Sequence, residues 1–60
     1  MKLMVLYHYT KGNQNGFGNC PVSTTHEELT MELVRDVERQ IKESNNNENV
    51  VVLNIIKLDN

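Results

Sequence analysis

"YHYTKGNQNGFGNCP", residues 7–21, decides how this chain is built. It carries glycines at 12, 16 and 18, a lysine beside the first, and closes on Cys20 and Pro21. A phosphate-cradling loop delivers the chain straight into a helix N-terminus, whose amides hold the anion. A hairpin turn delivers it into a second strand. Here "FGNCPVST", residues 17–24, follows and reads as strand. A dinucleotide fingerprint counted from Gly16 needs glycine at 21, where Pro21 stands, and no Gly-Lys-Ser/Thr closes a P-loop. The stretch is read as a turn. Asn15-Gly16, the dipeptide that best tolerates positive φ, is expected at its tip, with Gly18 allowing a bulge or a close approach.

Working outward, residues 2–10, "KLMVLYHYT", form the first strand of the hairpin. Leu3, Val5, Tyr7 and Tyr9 share one face, and Met4, Leu6, His8 and Thr10 the other. Apolar residues on both faces suit a central strand. The second strand contains Pro21, which has no N–H for a ladder, and so belongs at a sheet edge. The last segment, "VVVLNIIKL", residues 50–58, is the strongest strand signal. Val50, Val52, Asn54, Ile56 and Leu58 alternate there with Val51, Leu53, Ile55 and Lys57.

Between them lies a helix, expected from His26. Thr25 and Glu28 have the spacing of a capping box, and Thr24 with Glu27 repeats it one residue earlier. Leu29, Leu33, Val37 and Ile41 recur every four residues, with Val34 widening the stripe and Met31 off it. Glu32–Arg35, Glu38–Lys42 and Arg39–Glu43 are spaced to pair on the opposite face. "SNNNEN", residues 44–49, ends the helix, with an asparagine as left-handed cap.

The order is β-β-α-β in a single domain spanning residues 1–60, of the α+β class. A right-handed crossover through the helix sets the third strand parallel to the second. With the first strand between them, the sheet order is 2-1-3 and one helix covers one face. The other face stays apolar and open, which a chain on its own rarely tolerates. A homodimer, sheet on sheet or paired through the edge of the third strand, is the simplest remedy. Met4, Leu6, Val52, Asn54 and Ile56 are the candidate oligomer interface.

Size and composition point the same way. A chain of 60 residues buries only about 60% of its unfolded surface and usually needs a disulfide, a metal or a partner subunit. The single cysteine, Cys20, cannot close an internal disulfide. It reads as a reduced cytosolic thiol or as a site for a bridge to another chain. The net charge of −2 and the absence of a basic stripe speak against nucleic acid and anionic membranes. "MKLMVLYHY" has neither the long apolar core of a signal peptide nor the ~20 apolar residues of a membrane span, so a cytoplasmic location is expected.

Chemistry-bearing patterns are few. "HEELT" from His26 resembles a zinc-protease signature until position 30, where threonine replaces the second histidine. Cys20, His26 and His8 make a poor zinc set, so no metal and no cofactor are expected. Cys20 with a histidine is a conceivable nucleophile and base, but the chain has little room for a substrate cleft. The thiol reads as a small packed residue, and the protein is not expected to be an enzyme. Tyr7, His8, Tyr9 and Phe17 are the candidate partner- or ligand-binding cluster, because aromatic side chains with polar handles concentrate at binding hot spots. Should the tyrosines face the helix instead, they are core and His8 is the exposed member. Asn54, an amide within an apolar strand, needs a partner if buried.

Taken together, "YHY", "GFGN" and "NVVVLNI" resemble the very small uncharacterised accessory proteins of bacteriophages and prophages. The resemblance implies action by binding: obstruction of a host defence protein, or retention of a nucleotide signal in oligomeric pockets. It carries no site residues over. The expected function is therefore that of a small homo-oligomeric inhibitor or adaptor of a host protein. The alternative is a sponge for a nucleotide or other small ligand, with pockets at subunit interfaces.

Overall fold

The computed structural model describes residues 1–58. Strand β1 (Lys2–Lys11) and strand β2 (Gln14–Ser23) form a hairpin, followed by helix α1 (Met31–Asn45) and strand β3 (Asn49–Leu58). The architecture is α+β, a sheet in the order β2-β1-β3 with one helix on one face. Strand β1 pairs antiparallel with both neighbours, so β2 and β3 run parallel to each other on either side of it. The expected topology holds.

The hairpin turn does not sit at Asn15-Gly16. Lys11 pairs with Gln14, leaving Gly12-Asn13 at the tip. Gly12 takes φ 60° and Asn13 keeps a negative φ, the pattern of a type II′ turn with glycine first. The reason lies further along β2. Gly16 and Gly18 stand directly opposite Tyr9 and Tyr7. A Cβ on Gly18 would fall 2.8 Å from the Cζ and hydroxyl of Tyr7, and one on Gly16 would fall 3.0 Å from the Tyr9 hydroxyl. The tyrosine rings lie over the two glycines, and only this register supplies seats for both. Strand β2 therefore starts earlier than expected, at Gln14. The turn is tied down by Glu48, whose carboxylate accepts from Gly12 N–H at 2.8 Å while its own N–H donates to Thr10 O at 2.9 Å.

The helix starts later than the capping-box pattern suggests. Thr30 is the N-cap, its hydroxyl accepting from Leu33 N–H at 3.2 Å. Thr24 instead closes a local turn, its Oγ1 accepting from His26 N–H at 3.1 Å. The chain leaves β2 at one edge of the sheet and must climb onto its face before it can coil, and residues 24–30 make that crossing. His26 rests on the helix, its Nε2 3.4 Å from Asp36 Oδ2. Leu29, placed on the apolar stripe by its spacing, falls before the helix and is exposed. The acidic–basic pairing also differs. Arg39 reaches Asp36 at 3.2 Å, and Glu38 turns to the sheet, where its Oε2 accepts from Val52 N–H at 2.9 Å. Arg39 and Glu38 are thereby drawn away from Glu43 and Lys42, the partners read from the spacing. At the other end Asn46 is the left-handed cap (φ 55°, ψ 41°). Its N–H and that of Asn47 donate back to Glu43 O and Lys42 O, a Schellman motif.

Leu33, Val37 and Ile41 bury the helix stripe against Leu3, Val5, Tyr7 and Val50. Each such side chain contributes roughly 1.5–3 kcal/mol on burial. Tyr9, Cys20, Val22, Val52 and Ile55 pack around this cluster. The helix lies closest to β3.

A bulge in β3 redistributes its faces. Leu6 pairs with Asn54 but Tyr7 pairs with Val52, so Leu53 is the extra residue. Before the bulge Val50 and Val52 face the helix; after it, Ile55 does, opposite Val5. The regular alternation read from the sequence therefore breaks in mid-strand.

Candidate binding surface

The sheet face away from α1 is built on β1 by Met4, Leu6 and His8. Strand β2 adds Phe17, Asn19 and Pro21 opposite them, and β3 adds Val51, Asn54 and Ile56. The apolar members of the flanking strands are open to solvent: Phe17 is 78% exposed, Leu53 55%, Val51 53% and Ile56 47%. The bulge pushes Leu53 onto this face. There it joins Leu6 and Phe17 around a shallow hollow of about 190 Å³, with Asn19 at the margin. Asn54 is exposed, and its Oδ1 accepts from Ile55 N–H at 2.9 Å. It carries no burial penalty.

Of the aromatic cluster, the structure keeps two pairs and separates them. Tyr7 and Tyr9 face the helix, with ring centroids 6.3 Å apart and planes tilted by 53°, and Tyr7 is buried in the core. His8 and Phe17 lie on the opposite face, in an edge contact at 5.2 Å. Alternation along β1 forces the division, since neighbouring residues point to opposite sides. Of the candidate interface residues, Met4, Leu6, Asn54 and Ile56 share the open face, whereas Val52 packs toward the core. Val51 and Leu53, assigned to the opposite set by simple alternation, belong to the open face through the bulge.

The helix side holds two larger openings. Between β2 and α1, Cys20, Val22, Gln40 and Ile41 line a cleft of about 340 Å³, because the helix leans toward β3. Burial pushes the Cys20 thiol above its ordinary pKa, which favours the protonated and less reactive form. Beside it, Tyr7, Tyr9, Lys11, Gln14, Asn45 and Asn47 surround about 320 Å³ at the C-terminal end of the helix. His26 pairs with Asp36, not with Cys20 or His8. Among the described residues no three of His, Cys, Asp and Glu gather as metal ligands, and no helix is long and apolar enough to cross a membrane.

No protein-family model matches the chain, and no curated protein and no solved structure matches it. The surface chemistry alone must carry the functional reading.

Proposed function

We propose that this protein is a small homo-oligomeric binding protein that works by contact and not by catalysis, as an inhibitor or adaptor of a host protein. The observation that carries the reading is the open sheet face, where Phe17, Val51, Leu53 and Ile56 stand exposed and Phe17 and Leu53 wall a hollow over Leu6. Contiguous apolar surface of this kind marks a protein–protein contact. The hollow between Phe17 and Leu53 has the form of a hot-spot pocket, an apolar depression with aromatic and aliphatic walls and a polar rim. The resemblance to phage accessory proteins implies a host protein as the target.

The test is native mass spectrometry of the untagged protein from a bacterial lysate, compared with Leu53→Glu/Ile56→Glu. An oligomer holding a host protein that the double variant releases supports the reading. Unchanged retention by the double variant counts against it.

The second reading, a small-ligand sponge, draws on one observation. Tyr7, Tyr9 and Lys11 meet in the cleft beside Asn45 and Asn47. Stacking surface, one cation and side-chain amides suit a polar aromatic ligand. The helix C-terminus at this site presents carbonyl oxygens and disfavours a phosphate. A retained mass of a few hundred daltons, lost in Tyr9→Ala, would move the assignment to this cleft.

A further inference from the structure

The two edges of the sheet are finished differently. Met1 and Thr24 exchange both backbone hydrogen bonds, at 2.8 and 3.0 Å. Bonded and non-bonded pairs alternate along an antiparallel ladder. Counting from Met1–Thr24, β2 bonds to β1 through Val22, Cys20, Gly18, Gly16 and Gln14. Asn15, Phe17, Asn19 and Ser23 therefore turn their N–H and C=O groups to the free edge, where Pro21 has no N–H to offer. The same alternation sends Val50, Val52, Ile55 and Lys57 of β3 to the opposite edge. There Glu38 already accepts from Val52 N–H and Asn54 from Ile55 N–H, each at 2.9 Å. One edge is occupied in mid-strand by side chains. The other is open over residues 15–19.

Strand β2 also lacks the usual protections of an edge. It has 10 residues, "QNGFGNCPVS", with no charge among them, and it pairs with β1 without a bulge. Edge strands that must stay single carry lysines, bulges or short lengths. Only Pro21 interrupts this one.

We propose that β2 is the joint between two copies of this chain, paired antiparallel about a two-fold axis at Phe17 to form one continuous six-stranded sheet. The proposal rests on the homo-oligomeric reading above and names its interface. In this register Phe17 faces its own counterpart, and Asn15 faces Asn19 of the second copy. The three bonded positions exchange about six ladder hydrogen bonds. Pro21 falls opposite Asn13 in the turn, where no N–H is required. A shift of the axis to Asn19 would set Pro21 against Phe17 at two symmetry-related places inside the ladder and leave each Phe17 C=O without a donor, so the proline disfavours that register. The two Phe17 rings become neighbours on the open face, each already against its own His8.

The second copy also solves a problem of area. Strands of 10 residues at ~3.3 Å rise, three abreast at ~4.8 Å spacing, give a face of roughly 470 Å². A standard protein interface takes about 800 Å² from each partner. One sheet falls short of that figure, and two joined at β2 reach it. Because the joint uses the edge, the apolar face stays free for the host protein.

The experiment is amide hydrogen exchange by NMR on the wild-type chain at a concentration whose mass is fixed by sedimentation. A dimer in which Phe17 and Asn19 N–H exchange on the order of a hundred-fold slower than Asn13 N–H supports the joint. A dimer in which they exchange as fast as Asn13 overturns it while leaving the homo-oligomeric reading in place. A monomer at every concentration overturns both. The variant Asn19→Pro removes an edge N–H that takes no part in the β1 ladder. It is expected to keep its far-UV circular dichroism and lose the dimer. A folded Asn19→Pro that remains dimeric would also overturn the proposal, and if the variant fails to fold, the wild-type exchange rates decide alone.

Discussion

At the scale of single residues, the chain is governed by where a side chain is missing. Gly18 makes room for Tyr7, which is buried and has little freedom to move, so a methyl 2.8 Å from the ring forces a shift within the core. Gly16 makes the same room for Tyr9, but that ring is only half-buried and can swing outward. Gly18→Ala is therefore expected to cost about 1–3 kcal/mol of unfolding free energy in urea, the range for overpacking. Gly16→Ala should cost clearly less. Equal costs would mean that the glycines serve the backbone and not the rings. A second expectation concerns Cys20. Its thiol is held protonated by burial, so alkylation by iodoacetamide at mildly alkaline pH should run slower than for a cysteine in the unfolded chain. The linkage has a definite sign. A pKa raised in the folded state means that the unfolded chain releases its proton first as pH rises. The contribution of Cys20 to stability is thus complete below the ordinary thiol pKa and declines above it. Cys20→Ser or Cys20→Ala should flatten that alkaline decline in a series of melting temperatures.

At the scale of elements, the two ends of α1 test how far local signals decide structure. Thr30→Ala removes the acceptor for Leu33 N–H and is expected to cost ~1 kcal/mol by chemical denaturation. Thr25→Ala, at the position favoured by the capping-box spacing, should cost nothing measurable. The reverse result would put the helix start back at His26. The sequence could not separate the two because Thr25–Glu28 is a sound local cap, and only the crossing from β2 onto the sheet face displaces it. The C-terminal cap was legible, since Asn46 lies in an asparagine tract just past the last apolar turn. The strand order was legible too, from Pro21 on the second strand and from apolar residues on both faces of the first. The faces of β3 were not. Every position from Val50 to Val52 and most beyond are apolar, so alternation carries no phase, and a bulge at Leu53 leaves no trace in composition. That one extra residue moves Val52 to the core and brings Leu53 to the open face. The division of Tyr7, His8 and Tyr9 was fixed by alternation, but which side the helix would cover was not.

At the scale of the whole molecule, the core cluster has seven buried residues among those described, and a single core in so small a chain rarely supplies more than ~3–5 kcal/mol. Stability on that scale is sensitive to anything that binds the folded form. If two chains share a sheet through β2, unfolding releases two chains, and the midpoint must rise with concentration by mass action. A hundred-fold increase in protein favours the dimer by RT ln 100, about 2.7 kcal/mol per dimer, or half that per chain. For a domain of this size the midpoint should move up by roughly 5–10 °C. The measurement is a pair of reversible melts followed by circular dichroism at low and high protein concentration. Asn19→Pro should melt at a concentration-independent temperature, near or below the dilute wild-type value. Leu53→Glu/Ile56→Glu should retain the full dependence, because those side chains lie on the open face and away from the β2 edge. A dependence lost in the open-face variant but kept in Asn19→Pro would mean that the copies pack face to face. The apolar surface over Leu6 would then be the joint itself, and no free face would remain for a host protein.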